Sequence, residues 1–214
     1  MQHDLSGLRK NYNKLELVEN QVPENPLELF RDWFLQAEQH PHIDEHNAMG
    51  IATLGLDGYP KNRMVLLKGY TYEGFIFYTN YESEKGRAIA ENPRVGLHFF
   101  WPALERQIII KGLAEKLAEN LSDGYFESRP MLSRISASVS PQSQVVPSRE
   151  WLEEKQSAME KSTTQEIERP AFWGGYLVRP QSIEFWQGRP NRLHDRLRYA
   201  MDEEMDWVLE RLAP

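Results

Sequence analysis

The stretch "MGIATLGLDGYPKNRMVLLKGY", residues 49–70, decides the fold class. Two runs rich in β-branched and aliphatic residues flank "DGYP", in which Asp57-Gly58 is a hairpin signal. The period is that of strands, and the same signature recurs on both sides of a polar middle. "GFIFYTN" (74–80), "RVGLHFFW" (94–101) and "RQIIIKGLAEKL" (106–117) follow as further strands, dense in β-branched and aromatic residues. After the middle come "FWGGYLVRP" (172–180), "SIEFWQG" (182–188), "RLHDRLRYA" (192–200) and "DWVLERLAP" (206–214).

Helices punctuate this pattern. "NPLELFRDWFLQAEQH" (25–40) has Asn25 as N-cap, Pro26 at the first helical position and Glu28 in the first turn. Leu27, Phe30, Trp33, Phe34 and Ala37 form its apolar stripe. "SEKGRAIAENP" (83–93) is a short helix that Ser83 caps and Pro93 ends. Residues 119–160 read as polar and helical, broken at Pro130, Pro141 and Pro147, and "QSAMEKSTTQEIERP" (156–170) reads as a loop. Residues 1–24 are patternless and read as a mobile arm. Residues 25–214 are then a single mainly β domain: an antiparallel barrel with peripheral helices and a helical insertion at about 119–160.

Composition narrows the function. With 214 residues, 40% of them hydrophobic, the chain can bury a sizeable core. It has no cysteine, which excludes disulfides, thiolate nucleophiles and Cys-ligated metals. A formal net charge of -7 argues against nucleic acid as a partner, so a cationic site must be a local pocket. No apolar run reaches membrane-spanning length, and "MQHDLSGLRKNYNK" lacks the apolar core of a secretory signal. The expectation is a cytoplasmic protein without membrane partners.

Several segments place cations beside hydroxyls. In "WQGRPNRLHDR" (186–196), Arg192, His194 and Arg196 alternate, which on a strand puts three potential cations on one face and asks for an anion. Arg63 and Lys68 bound "RMVLLKG" with opposite parity, so a regular strand sends them to opposite faces. "YTNYESEKG" joins a strand end to a helix start, with Thr79, Ser83 and Lys85 as phosphate ligands or simply as a helix cap. "YFESRPMLS" spaces Tyr125, Arg129 and Ser133 at i, i+4 and i+8, interrupted by Pro130. His40, His42 and His46 in "HPHIDEH" have no helical register, so a polar loop outweighs a metal site there. His98 reads as packed or paired. The glycines of "WGGY" read as allowing close backbone approach rather than as a phosphate loop.

Taken together, "RMVLLKG", "FYTNYES" with "EKG", "LERQ", "YFESRP", Gln142-Ser143, "EFWQGRPNRLHDR" and the terminal "RLAP" resemble the pyridoxine/pyridoxamine 5′-phosphate oxidase family. The resemblance runs from about residue 8 to the last. It implies an FMN-binding split β-barrel, a homodimer with FMN at the subunit interface, and oxidation of pyridoxine or pyridoxamine 5′-phosphate. In that reaction hydride passes from C4′ to flavin N5, and O₂ reoxidises the flavin to give H₂O₂. The implied cofactor contacts are Arg63, Met64, Val65, Leu66, Lys68, Tyr78, Thr79, Lys85, Gln107, Gln142, Ser143, Trp186 and Arg196. The implied substrate contacts are Lys68, Tyr125, Arg129, Ser133, Arg192 and His194, with Arg192 and His194 nearest the reacting carbon. The stretch "LRKNY" adds Arg9 and Tyr12 from the arm. Members often read Ser-Arg-Lys where this chain has Ser83-Glu84-Lys85. Glu84 therefore either points to solvent or weakens flavin binding. The alternatives are another split-barrel flavin oxidoreductase, which need not carry "YFESRP" or "RLHDR", and a non-catalytic carrier of FMN or pyridoxal phosphate.

Overall fold

The computed structural model describes residues 3–8, 10–162 and 166–214. Nine strands join one sheet: β1 (Ala48–Leu54), β2 (Pro60–Leu66), β3 (Gly69–Thr71), β4 (Gly74–Asn80), β5 (Arg94–Trp101), β6 (Arg106–Lys116), β7 (Trp173–Gln187), β8 (Asp195–Met201) and β9 (Trp207–Arg211). Their hydrogen-bonded order is β2-β1-β5-β6-β7-β4-β3, with β8 on β7 and β9 on β8. The stretch 62–70 is thus two strands rather than one. β2 and β3 stand at opposite ends of the order, joined only by Leu67 and Lys68. At that step the Lys68 N–H donates to Ile76 O (2.8 Å), so the chain has already changed its pairing partner to β4. The parity argument for Arg63 and Lys68 therefore does not apply, because no regular strand connects them.

Five helices accompany the sheet among the described residues: α1 (Pro26–Glu38), α2 (Glu84–Glu91), α3 (Glu119–Ser128), α4 (Met131–Val139) and α5 (Arg149–Ser162). α1 begins where its caps predict, with the Asn25 side chain accepting from the Leu27 N–H at 2.9 Å. α5 runs to Ser162, so the first part of the stretch read as a loop is helical. Its Gln, Ala, Met, Glu and Lys residues are good helix formers, and no proline interrupts them. Residues 163–165 of that stretch lie outside the described residues.

The chain divides into two compact units. One comprises residues 1–49, 97–111 and 181–214. In it Phe30 of α1 meets Phe99 edge-on at 5.4 Å, and Trp33 meets Phe185 at 5.2 Å. The other comprises residues 50–96 and 112–180. There Phe77 of β4 stacks on Tyr176 of β7 at 5.5 Å, and Phe126, Ile135, Ile167 and Trp173 are buried together.

β7 is one strand of 15 residues where two were expected. Pro180 explains why both readings are natural. β4 pairs with β7 up to Val178, and β8 pairs with it from Ser182 onward. The missing N–H of Pro180 falls between the two ladders, where no bond is required of it.

Candidate functional site

In the second unit, the end of β4 and the start of α2 build a cationic cradle. Ser83 caps α2: its hydroxyl accepts from Gly86 N–H (3.3 Å) and donates to Asn80 O (2.6 Å). Lys85 folds back into this turn, where its Nζ donates to Thr79 Oγ1 (2.9 Å) and Ser83 Oγ (3.4 Å). It is only 7% exposed, and both partners are hydroxyls. Burial, and secondarily the neighbouring Arg63, lower its pKa to about 8. Arg63 is anchored on Thr53 Oγ1 (2.7 Å) and on the carbonyls of Lys61 (3.1 Å) and Ile51 (3.3 Å). Glu84, half-exposed, pairs with Lys61, which Asp57 also contacts at 2.9 Å. Lys61 thereby offsets the charge of the Glu84 carboxylate beside the cradle.

A pocket of about 290 Å³ opens over the cradle. Met64, Val65 and Leu66 of β2, with Lys68, form one wall. Tyr78, Thr79 and Lys85 form another, and Tyr125, Arg129 and Gln142 close it. Thr79 Oγ1 donates to Gln142 Oε1 at 3.4 Å. Pro130 forces Arg129 into extended backbone between α3 and α4. Ser133 consequently lines an adjoining pocket of about 420 Å³, with Arg129 and Gln142 common to both. The Arg129 guanidinium lies 4.6 Å from the Trp173 ring centre, and its Nη1 is buried without a hydrogen-bond partner. Tyr78 stacks on Tyr125 (3.8 Å), and both rings lie nearly parallel to Trp173, at 5.6 and 6.2 Å. Gly175 permits this, since a Cβ there would come within 2.8 Å of Tyr78 Cε1. The glycines of "WGGY" thus serve close packing.

Asn80 and Trp173 also line both pockets, and sequence reading did not single them out. They are cross-strand partners in the β4–β7 ladder, a pairing visible only once the register is known. Ser143 is exposed, with a left-handed φ of 71°, and lines neither pocket.

In the first unit, residues 186–196 depart from the expected strand. Pro190–Arg192 form a 3₁₀ turn, Asn191 and Arg192 take φ of 57° and 63°, and β8 begins only at Asp195. Arg192, His194 and Arg196 therefore do not share a strand face. The turn starts at a proline and places an asparagine, which tolerates left-handed backbone, at its centre. The Arg189 N–H closes it by donating to His194 Nδ1 at 3.1 Å. That bond puts the proton of a neutral His194 on Nε2. Burial, then Arg192, lower the His194 pKa and favour this neutral form.

Arg192, His194 and Tyr12 line a pocket of about 650 Å³, together with Lys10 and Arg189. Trp186 packs 4.7 Å from His194 and 5.6 Å from Tyr12. Arg196 is held by Glu184 Oε1 (2.8 Å) and Ala213 O (2.7 Å). Gln107 Oε1 is paired with His98 Nε2 at 3.0 Å, so His98 is the paired residue it was read to be. Arg9 lies outside the described residues. His46 contacts Glu38 at 3.7 Å, and among the described residues no three potential metal ligands cluster. No helix among them is long and apolar enough to cross a membrane.

A buried Lys85 facing hydroxyls, with a half-buried Arg129 beside an aromatic wall, suits a phosphate monoester carried on a flat ring. Fold and site together define a class: antiparallel-sheet proteins with a pocket that combines cations, hydroxyls and aromatic rings. Comparison with known proteins narrows it. Residues 35–160 match the family model described as pyridoxamine 5′-phosphate oxidase. Residues 173–214 match the pyridoxine 5′-phosphate oxidase C-terminal dimerisation region. The pyridoxine/pyridoxamine 5′-phosphate oxidase of Flavobacterium psychrophilum is 60% identical over 212 residues, 99% of each chain, and that of Flavobacterium johnsoniae is 55% identical over the same span. The chain belongs to the pyridoxine/pyridoxamine 5′-phosphate oxidase family of oxidoreductases. Among solved structures, PhzG from Burkholderia lata, in complex with tetrahydrophenazine-1-carboxylic acid, superposes with a TM-score of 0.88 at 29% identity, covering 96% of this chain and all of that one. A pyridoxamine 5′-phosphate oxidase-related, FMN-binding protein from Nostoc punctiforme shares the fold, with a TM-score of 0.73 at 17% identity over 90% of this chain and all of that one. The split-barrel fold is thus common to all three.

Proposed function

We propose that this protein oxidises pyridoxine 5′-phosphate or pyridoxamine 5′-phosphate to pyridoxal 5′-phosphate, as a homodimer with FMN at the subunit interface. Bound FMN would take hydride from C4′ at its N5 and pass the electrons to O₂, giving H₂O₂. The alcohol becomes the aldehyde directly, whereas the amine becomes an imine that water hydrolyses.

One observation carries this reading: Lys85 and Arg129 are cations of the same pocket, and neither has a carboxylate within ion-pairing distance among the described residues. Lys85, Arg63, Thr79 and the capped α2 terminus hold the flavin phosphate. Met64, Val65, Leu66, Tyr78, Gln107, Gln142, Ser143, Trp186 and Arg196 complete the flavin contacts. Lys68, Tyr125, Arg129 and Ser133 grip the substrate phosphate, a remote handle whose binding energy orients the reacting carbon. Arg192 and the Nε2–H of His194 donate to the ring phenolate and fix C4′, with Tyr12 covering them.

Anaerobic mixing of the flavin-loaded protein with pyridoxamine 5′-phosphate tests the reading. An oxidase bleaches its flavin absorbance, and O₂ restores it. A protein that only stores the ligands leaves the spectrum unreduced, and that result would sink the proposal.

A further inference from the structure

Glu105 sits in the turn between β5 and β6, only 1% exposed, with a left-handed φ of 57°. Its carboxylate does not face a cation at hydrogen-bond distance. Instead Oε2 accepts from two successive backbone N–H groups, those of Asn13 (3.0 Å) and Lys14 (3.2 Å), while Lys10 Nζ stands 3.8 Å from Oε1. Its carbonyl accepts from Gly188 N–H (2.8 Å) and from Gln187 Nε2 (3.2 Å). Tyr12 lies between these two grips. The backbone just after it is held by the carboxylate, and its side chain rests on Gly188, where an added Cβ would be 2.7 Å from Tyr12 Cβ and Cγ. The Tyr12 ring also meets Trp186 and His194 edge-on, at 5.6 and 5.7 Å.

From these contacts we infer that Glu105 is a positioning residue: it clamps Tyr12 between Gly188 and His194 and so shapes the pocket in which substrate binds. The inference rests on the assignment of that pocket to the substrate. Both grips come from one residue because the left-handed turn lets its carbonyl and carboxylate serve different segments. A buried carboxylate is costly unless hydrogen-bonded, and here the arm supplies its donors.

Glu105→Gly separates the carboxylate from the backbone, since glycine adopts the left-handed turn without strain. Three measurements on the flavin-loaded protein test the clamp. Trypsin should cut after Lys10 or Lys14 faster in Glu105→Gly than in the parent, as located by mass spectrometry. The KM for pyridoxamine 5′-phosphate should rise about tenfold while kcat stays within about twofold. In a Tyr12→Ala background, Glu105→Gly should add no further loss, whereas general destabilisation would add. Glu105→Gln keeps an acceptor oxygen and should retain a KM near the parent's. Gly188→Ala should raise KM by displacing the ring, with the carboxylate bonds intact.

Unchanged cleavage together with unchanged KM in Glu105→Gly would overturn the clamp. Faster cleavage with an unchanged KM would overturn its role in substrate binding. In that case Glu105 remains an anchor of the arm, and it is the placing of substrate beside Tyr12 that fails.

Discussion

Burial holds the Lys85 ammonium down to about 8, and its hydroxyl partners bring no countercharge. A bound phosphate dianion supplies that charge and raises the pKa. The sign of the pH effect follows. Below about 8 Lys85 is already protonated and binding needs no proton from it; above about 8 the free protein must take one up. FMN affinity should therefore fall as pH rises through about 8, with log Kd approaching a slope of about one per pH unit. Flavin-fluorescence titrations across that range measure it, and Lys85→Met should bind more weakly with a flatter profile. A parent profile without a break near 8 would remove Lys85 from the phosphate site. For Arg129, whose Nη1 lacks a partner, Arg129→Ala should weaken substrate binding by about 1.5–3 kcal/mol. In stopped-flow reduction the limiting rate should survive at saturating substrate; an unchanged dissociation constant would exclude Arg129 from the substrate phosphate. Arg192→Ala should do the reverse, slowing flavin reduction far more than it loosens FMN. Equal losses in both would contradict the division of roles.

At the scale of elements, local chemistry was legible and non-local chemistry was not. α1 and α2 start where Asn25 and Ser83 cap them, because capping depends only on the next few residues. The same bond gives a prediction: Ser83→Ala, losing the Gly86 N–H and the Asn80 carbonyl as partners, should lower stability by about 0.5–2 kcal/mol in urea unfolding. A stability equal to the parent's would show that another group caps α2. The strands were legible as strands, but their partners were not. Pro180 read as a break because proline cannot donate to a ladder, yet it falls where β7 changes partner. Leu67-Lys68 read as strand interior, yet the chain changes partner there also. Residues 190–194 alternate like a strand, and two left-handed residues cancel the alternation. The site divides in the same way. Thr79, Ser83 and Lys85 stand together in sequence and were legible as phosphate ligands or a helix cap, whereas Asn80 and Trp173 reach the pocket by cross-strand pairing between residues 93 positions apart. Glu105 stands within "LERQ", but its contacts were not legible there, because its partners are backbone groups of a distant segment.

At the scale of the whole molecule the question is how many subunits it takes to make one site. The region matched as a dimerisation region, residues 173–214, contains Trp186, Arg192, His194 and Arg196, four of the residues assigned here to flavin and substrate. If that segment builds a subunit interface and these residues touch the ligands, the ligands would lie at the interface, as proposed above. Complementation tests this without any further structure. Arg129→Ala and Arg192→Ala protomers, each impaired alone, are co-expressed with different affinity tags, and the doubly tagged dimers are isolated. If Arg129 of one subunit and Arg192 of the other serve the same site, each mixed dimer holds one doubly altered site and one intact site. Statistical mixing makes about half of all dimers mixed, so at substrate well below the raised KM of Arg129→Ala the unfractionated pool should recover about a quarter of the parental rate, and the isolated mixed dimers about half. The intact site should also show the parental KM, because nothing in it has changed. If both residues of a site come from one chain, every site in the mixed dimer carries one substitution, and activity stays at the level of the two variants alone. That second result would place the whole site within a single subunit.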